Sequence, residues 1–196
     1  MQAVIDFLKQ NESRFVNELC DYVRFPSVSA QPNHRDDMKT CAEWVVKRCQ
    51  QIGLQAELCA TKGHPIVLAK TPRRAGRKHF LVYGHYDVQP PEPFELWKTP
   101  PFEPRIEGRS MFGRGASDNK GQNLAHLAAV EAYFKTGTEL PVDLTFVIEG
   151  EEEVGSASLA TFLKERQAEL KCDAVVISDT GMPDKRVPAL TYALRG

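Results

Sequence analysis

No stretch of the 196 residues approaches the roughly 20 consecutive apolar positions that a membrane-spanning helix needs, so no bilayer span is expected. Neither sign of charge dominates. Twenty-five basic residues stand against 26 acidic ones, a formal net charge of −1, which leaves no overall field to attract nucleic acid or an anionic membrane. Cysteine is scarce and odd in number. Cys20, Cys41, Cys49, Cys59 and Cys172 form no C-x-x-C pair, which argues against a disulfide framework and against a structural zinc knuckle; single buried thiols are expected. The phosphate-loop order G-x-x-x-x-G-K-[ST] is missing, and no internal repeat is visible. The first ten residues are amphipathic and carry Asp6 where a signal peptide would be uniformly apolar, so the expected location is the cytoplasm.

What is present is an apolar content of 42%, enough for a sizeable core, arranged as alternating strand and helix patterns. Ile5, Leu8, Phe15, Leu19, Tyr22 and Val23 have helical spacing, with a break expected near Asn11 and a stop at Pro26. A second stripe, Met38, Cys41, Trp44, Val45, Cys49 and Ile52, ends at Gly53, with Asp36 or Asp37 as its cap. Strands are expected at 54–59, 66–70, 80–83, 142–148 and 174–178, and helices over 118–135 and 156–170. A hairpin is expected at 105–112. The basic turn 73–78 reads as a solvated loop. Segment 89–104, with six prolines among Glu92, Phe94, Trp97 and Phe102, reads as an ordered loop packed near His85. The alternation implies an α/β fold with a mixed, largely parallel sheet sandwiched by helices.

Acidic groups collect at the ends of these elements. Glu149-Gly-Glu-Glu-Glu-Val-Gly-Ser156 follows the apolar run 142–148, where open α/β sheets place their active sites. Three adjacent like charges repel one another and call for something cationic. His85-Tyr-Asp87 follows a second strand, Asp179 ends a third, and Asp118 opens a helix inside Gly113-Arg-Gly-Ala-Ser-Asp-Asn-Lys-Gly121. Each cluster also has a plain reading: locally satisfied strand-end groups, a helix N-cap at Asp118, an exposed acidic turn. Together they point to metal. Carboxylate and imidazole donors without thiolate suit zinc, manganese or cobalt, and several carboxylates suit two ions about 3.5–4 Å apart. In H-x-D, Asp87 would hold the imidazole in the tautomer that frees its other nitrogen.

Four stretches, Gly84-His-Tyr-Asp-Val-Gln89, Trp97 with Pro101-Phe-Glu-Pro104, 113–121 and 149–156, resemble the co-catalytic dizinc family of aminoacylase, carboxypeptidase G-type enzymes, succinyl-diaminopimelate desuccinylase and carnosinase. The wording is most similar to the carnosinase and cytosolic non-specific dipeptidase branch. The resemblance implies a dizinc hydrolase (manganese or cobalt being possible substitutes) that cleaves dipeptides or short peptides, and a homodimeric full-length parent. From the balanced charge and short apolar runs, no nucleic-acid or membrane partner is expected. The resemblance implies His85 and Asp179 on one zinc with Asp87 in support, Asp118 bridging both ions through a loop with a cis peptide, Glu153 on the other zinc and Glu152 as general base. The register of the last two follows from E-E-x-G-S, which makes Glu151 a neighbour. His34, His64, His79 and His126 match no ligand position of the family and are expected to be ordinary. Tyr192-Ala-Leu-Arg-Gly196 resembles the segment before the family's lid domain. The expectation is therefore the N-terminal portion of a catalytic domain, without its lid, dimerisation domain or C-terminal half, and inactive by itself. An N-acyl amino acid deacylase is the alternative, and a metal-poor relative kept for binding a third reading.

Overall fold

The computed structural model describes residues 1–182 together with Asp184, Val187, Ala189 and Leu190; the segment resembling a lid boundary, 192–196, lies outside the described residues. The amphipathic N-terminal stretch forms α1 (Gln2–Gln10) and α2 (Glu12–Val23), broken at Asn11 as its pattern implies. The next stripe forms α3 (Arg35–Gln51), beyond which Gly53 takes a left-handed φ of +98°. Its N-cap is His34 rather than either aspartate; Asp36 and Asp37 sit in the first turn, and Asp37 Oδ2 lies 2.7 Å from His34 Nδ1.

Five strands form the main sheet: β1 (Gln55–Cys59), β2 (Ile66–Lys70), β3 (His79–His85), β6 (Asp143–Glu149) and β7 (Ala174–Ile177), in the order β1-β2-β6-β3-β7. β6, β3 and β7 run parallel, whereas β2 enters antiparallel beside β6 and carries β1 outward. The small hairpin β4 (Arg105–Glu107) and β5 (Ser110–Phe112) stands apart as a second sheet. Between β5 and β6 runs α4 (Lys120–Lys135). The helix expected over 156–170 is two pieces, α5 (Leu159–Glu165) and α6 (Gln167–Leu170), interrupted at Arg166.

Period-2 alternation builds both layers. From β2 and β6, Val67, Ala69, Phe146 and Ile148 face a core shared with Met38, Val45, Leu127 and Val130 of α3 and α4. Ile66, Leu68 and Val147 face the other way, onto Phe162 and Leu170 of α5 and α6. α2, α3 and α4 are also tied by charge: buried Arg48 pairs with buried Glu131 and, at 2.9 Å, with Glu18, and Arg14 meets Glu131 at 3.0 Å. Four of the five cysteines are buried and all are free, as their spacing suggests. No helix among the described residues is long and apolar enough to cross a membrane.

Candidate metal centre

Parallel pairing of β3 with β6 sets His85 directly beside Glu149, so both motifs leave the sheet at the same edge. His85 is fully buried. Its Nδ1 donates to the main-chain carbonyl of Asp87 at 3.0 Å, with Asp87 Oδ1 3.4 Å away. That holds a proton on Nδ1 and turns Nε2 outward as the nitrogen whose lone pair a metal would use once its own proton is displaced. Nε2 has no hydrogen-bond partner, yet Asp118 Oδ1, Asp179 Oδ2 and Glu152 Oε2 stand 3.1, 3.4 and 3.9 Å from it. Such an orphaned nitrogen among carboxylates is what a cation-sized gap leaves behind. His85, Glu152 and Asp179 offer atoms within 4.8 Å of one another, and so do His85, Asp118 and Glu153. The donor set of one imidazole and four carboxylates, with no thiolate, fits a divalent metal site.

Electrostatics without a cation agree with this. Burial opposes charge on His85, but the Asp87 hydrogen bonds and the charges of Asp87 and Asp179 outweigh it and raise its pKa to about 9. Partial burial raises Glu152 above the ordinary carboxylate range; His85 opposes that shift, and Asp179, Asp87 and Asp118 add to it. Glu153 is raised by burial too, while the Gln89 amide, which donates to its Oε2 at 2.6 Å, pulls the other way.

The three consecutive glutamates diverge. Glu152 and Glu153 begin a 3-10 turn (Glu152–Val154) that Gly155 closes at φ +94°. Their backbone N–H groups donate to Asp87 Oδ1 and Oδ2 at 3.3 and 3.1 Å, which aims both side chains toward His85. Glu151 turns back, accepting from the N–H groups of His64 and Ser158 at 3.4 and 3.0 Å. Asp118 is not the N-cap of α4. Asn119 occupies that position, across a cis peptide, and Asp118 keeps its carboxylate largely exposed beside His85.

The remaining histidines stay apart from the described clusters. His79 is bound to Lys171 O and Thr145 Oγ1, His126 to Ser178 Oγ, and His34 to Asp37, while His64 sits near Glu151. The proline-rich loop is ordered and joins the site through Gln89, and Trp97 donates to Pro91 O at 2.7 Å. Beside Asp118 and Asp179 opens a cleft of about 560 Å³, also lined by Ser117, Gln122, Thr180 and Met182, within the range of small-molecule sites.

Three supporting residues have partners that the sequence pattern does not reveal, although Lys120 and Glu149 lie inside its motifs. Ser29 donates to Asp87 Oδ2 at 2.7 Å from a segment that runs parallel to 86–88. Lys120, fully buried, donates to Tyr22 O and Phe25 O at 3.1 and 2.7 Å; its ammonium satisfies carbonyls at the end of α2 and so pins the loop of Asp118. Burial lowers its pKa. Glu149 Oε1 accepts from Tyr83 and Ser156 at 2.6 and 2.8 Å, closing the loop behind the 3-10 turn. Each is one polar residue whose partner is remote in sequence or lies around a turn.

Residues 81–191 match the family model described as Peptidase family M20/M25/M40. The chain is 33% identical to the Cys-Gly metallodipeptidase dug1 of Schizosaccharomyces pombe, over 100% of this chain and 44% of that protein. It is 30% identical to the Beta-Ala-His dipeptidase of Homo sapiens, over 100% and 42%. The crystal structure of human carnosine dipeptidase 1 superposes with a TM-score of 0.86 at 29% identity, covering 91% of this chain and 41% of the other. The chain thus spans less than half the length of the curated relatives it matches.

Proposed function

The chain belongs to peptidase family M20/M25/M40, and on that premise we propose that it carries most of the metal site of a hydrolase that cleaves dipeptides or other short peptides. The observation that carries this is His85 Nε2, buried and unpartnered, with three carboxylates 3.1 to 3.9 Å away. Names of the relatives, a Cys-Gly metallodipeptidase and a Beta-Ala-His dipeptidase, support small peptides as substrates.

In this reading His85 and Asp179 would hold one zinc ion, Glu153 the other, and Asp118 would serve both. When bound, the pair would polarise the scissile carbonyl and bring the pKa of a water toward about 7. Glu152, at the cleft and raised by partial burial, takes the proton from the attacking water and returns it to the departing amine. Asp87 holds His85 in its metal-binding tautomer and, through the two backbone N–H groups, holds the turn that presents Glu152 and Glu153. Among the described residues the Glu153 side has no histidine of its own. We place these residues in the N-terminal portion of a catalytic domain whose lid and C-terminal half lie outside them, and expect little turnover from the 196 residues alone.

The test has two arms. Metal-stripped chain titrated with zinc should bind it, and Glu152→Gln should bind it as well. A chain extended to the length of its relatives, loaded with zinc, should hydrolyse unblocked dipeptides and lose that activity in Glu152→Gln. Preference for N-acetyl amino acids would move the assignment to a deacylase. Absence of zinc binding, or full turnover in Glu152→Gln, would refute it.

A further inference from the structure

We propose that Asn119 is a positioning residue that restricts Asp179 to a single metal-binding oxygen and thereby biases the centre toward zinc; this rests on the metal site proposed above. The side chain is 1% exposed and its carboxamide makes three contacts. Its Nδ2 donates to Asp179 Oδ1 at 3.0 Å and to the main-chain carbonyl of Ser178 at 3.3 Å, while its Oδ1 accepts the backbone N–H of His85 at 3.3 Å. The orientation of the amide is dictated by its partners. A carboxylate and a carbonyl only accept, and a backbone N–H only donates, so the flipped amide would face three mismatches.

One neutral side chain therefore joins the three segments that carry His85, Asp118 and Asp179. Asn123 completes the clamp by donating to His85 O at 2.7 Å, so both polar groups flanking the His85 side chain along the main chain are held by carboxamides. Gly84 leaves room for them: a Cβ there would lie 2.0 Å from Asn123 Oδ1 and 2.7 Å from Asn119 Oδ1. The neutrality matters. A cation at 119 would repel the metal, and a carboxylate would add to an already acidic cluster.

The consequence for coordination follows from the same bond. With Oδ1 committed to Asn119, Asp179 presents Oδ2, which lies 3.4 Å from His85 Nε2. A monodentate carboxylate keeps the coordination number low, which suits zinc, whereas manganese favours a fuller, oxygen-rich shell. Releasing Oδ1 would let Asp179 chelate with both oxygens and relax that preference.

The test compares zinc and manganese binding by the metal-stripped 196-residue chain, its Asn119→Ala variant and its Asn123→Ala variant, using chelator competition. Asn119→Ala should bind zinc about 10- to 100-fold more weakly, the range for losing a partner of a metal ligand, and manganese far less so. Cobalt bound in place of zinc should lose visible absorption intensity as its coordination number rises. Asn123→Ala, which loses the bond to the His85 carbonyl but leaves Asn119 on Asp179, should keep the zinc-to-manganese ratio of the parent. A parallel fall for both metals in Asn119→Ala would overturn the inference while leaving the metal site standing. Absence of metal binding by the parent chain would overturn both. Should Asn119→Ala fail to fold, a crystal structure of the zinc-loaded parent decides: one Asp179 oxygen at about 2.0–2.2 Å supports the inference, and two oxygens at that distance overturn it.

Discussion

Replacing Asp87 by asparagine changes no volume and removes one charge, yet it should weaken both the fold and the metal site. The carboxylate is fully buried and surrounded only by donors. Oδ2 accepts from Ser29 Oγ at 2.7 Å and from Glu153 N–H at 3.1 Å; Oδ1 accepts from Glu152 N–H at 3.3 Å and faces His85 Nδ1 at 3.4 Å. The asparagine NH2 must replace one of the two oxygens. In the Oδ1 position it opposes two N–H groups. The Oδ2 position costs less, because the Ser29 hydroxyl can turn and accept, but Glu153 N–H then loses its acceptor. An unsatisfied buried donor costs about 1–3 kcal/mol, and the surviving bonds lose their charge assistance, roughly 1 kcal/mol more. The sum is about 2–4 kcal/mol, read from urea unfolding of the EDTA-treated protein. Zinc affinity should fall about 10- to 100-fold, because His85 loses its anionic partner and the turn of Glu152 and Glu153 loosens. It is best measured by chelator competition near pH 9, where proton competition for His85 is small. Stability within about 0.5 kcal/mol of the parent, together with unchanged zinc affinity, would show that Asp87 does not hold the site.

Further consequences are as direct. His85 in the metal-free protein has its pKa raised to about 9, so zinc must displace a proton at neutral pH; apparent affinity should rise by about tenfold per pH unit between pH 7 and 9, and a flat profile would refute the shift. The same shift has a sign for stability: the imidazolium is favoured in the folded state, so its contribution is full below the ordinary pKa of about 6.5 and is lost as pH rises through about 9. Denaturant midpoints of the metal-free chain across that window check it. Gly84→Ala drives a Cβ to within 2.0 Å of Asn123 Oδ1 and should cost about 1–3 kcal/mol together with zinc affinity, whereas Gly108→Ala, with open space around it, should leave zinc affinity unchanged. Glu131→Gln takes one of two carboxylates from buried Arg48, which keeps Glu18 at 2.9 Å, and should cost about 1–3 kcal/mol in urea unfolding with zinc affinity in the folded protein preserved.

Much of this protein is legible along the chain because local geometry dictates it. The stripe from Met38 to Ile52 has one helical solution. The short apolar runs at 66–70 and 142–148 lie between turn residues and are extended, and the break at Asn11 and the stop at Gly53 follow from the helical spacing around them. Their places at strand and helix ends likewise make His85, Asp118, Asp179 and the glutamates one candidate set. Tertiary structure decided what periodicity does not reach. β2 runs antiparallel between β1 and β6, because strand order depends on pairings remote in sequence. The helix after Ser156 breaks at Arg166, whose guanidinium reaches Glu57 on β1 and Glu169 on the next turn. Among Glu151, Glu152 and Glu153 the sequence offers three identical side chains. Only the Asp87 carboxylate beneath the turn, and the backbone N–H groups of His64 and Ser158 behind it, determine which two face the histidine and which one turns away. Beyond a strand end the chain has no period to direct its side chains, so their directions are set by whichever donors the rest of the fold brings within reach.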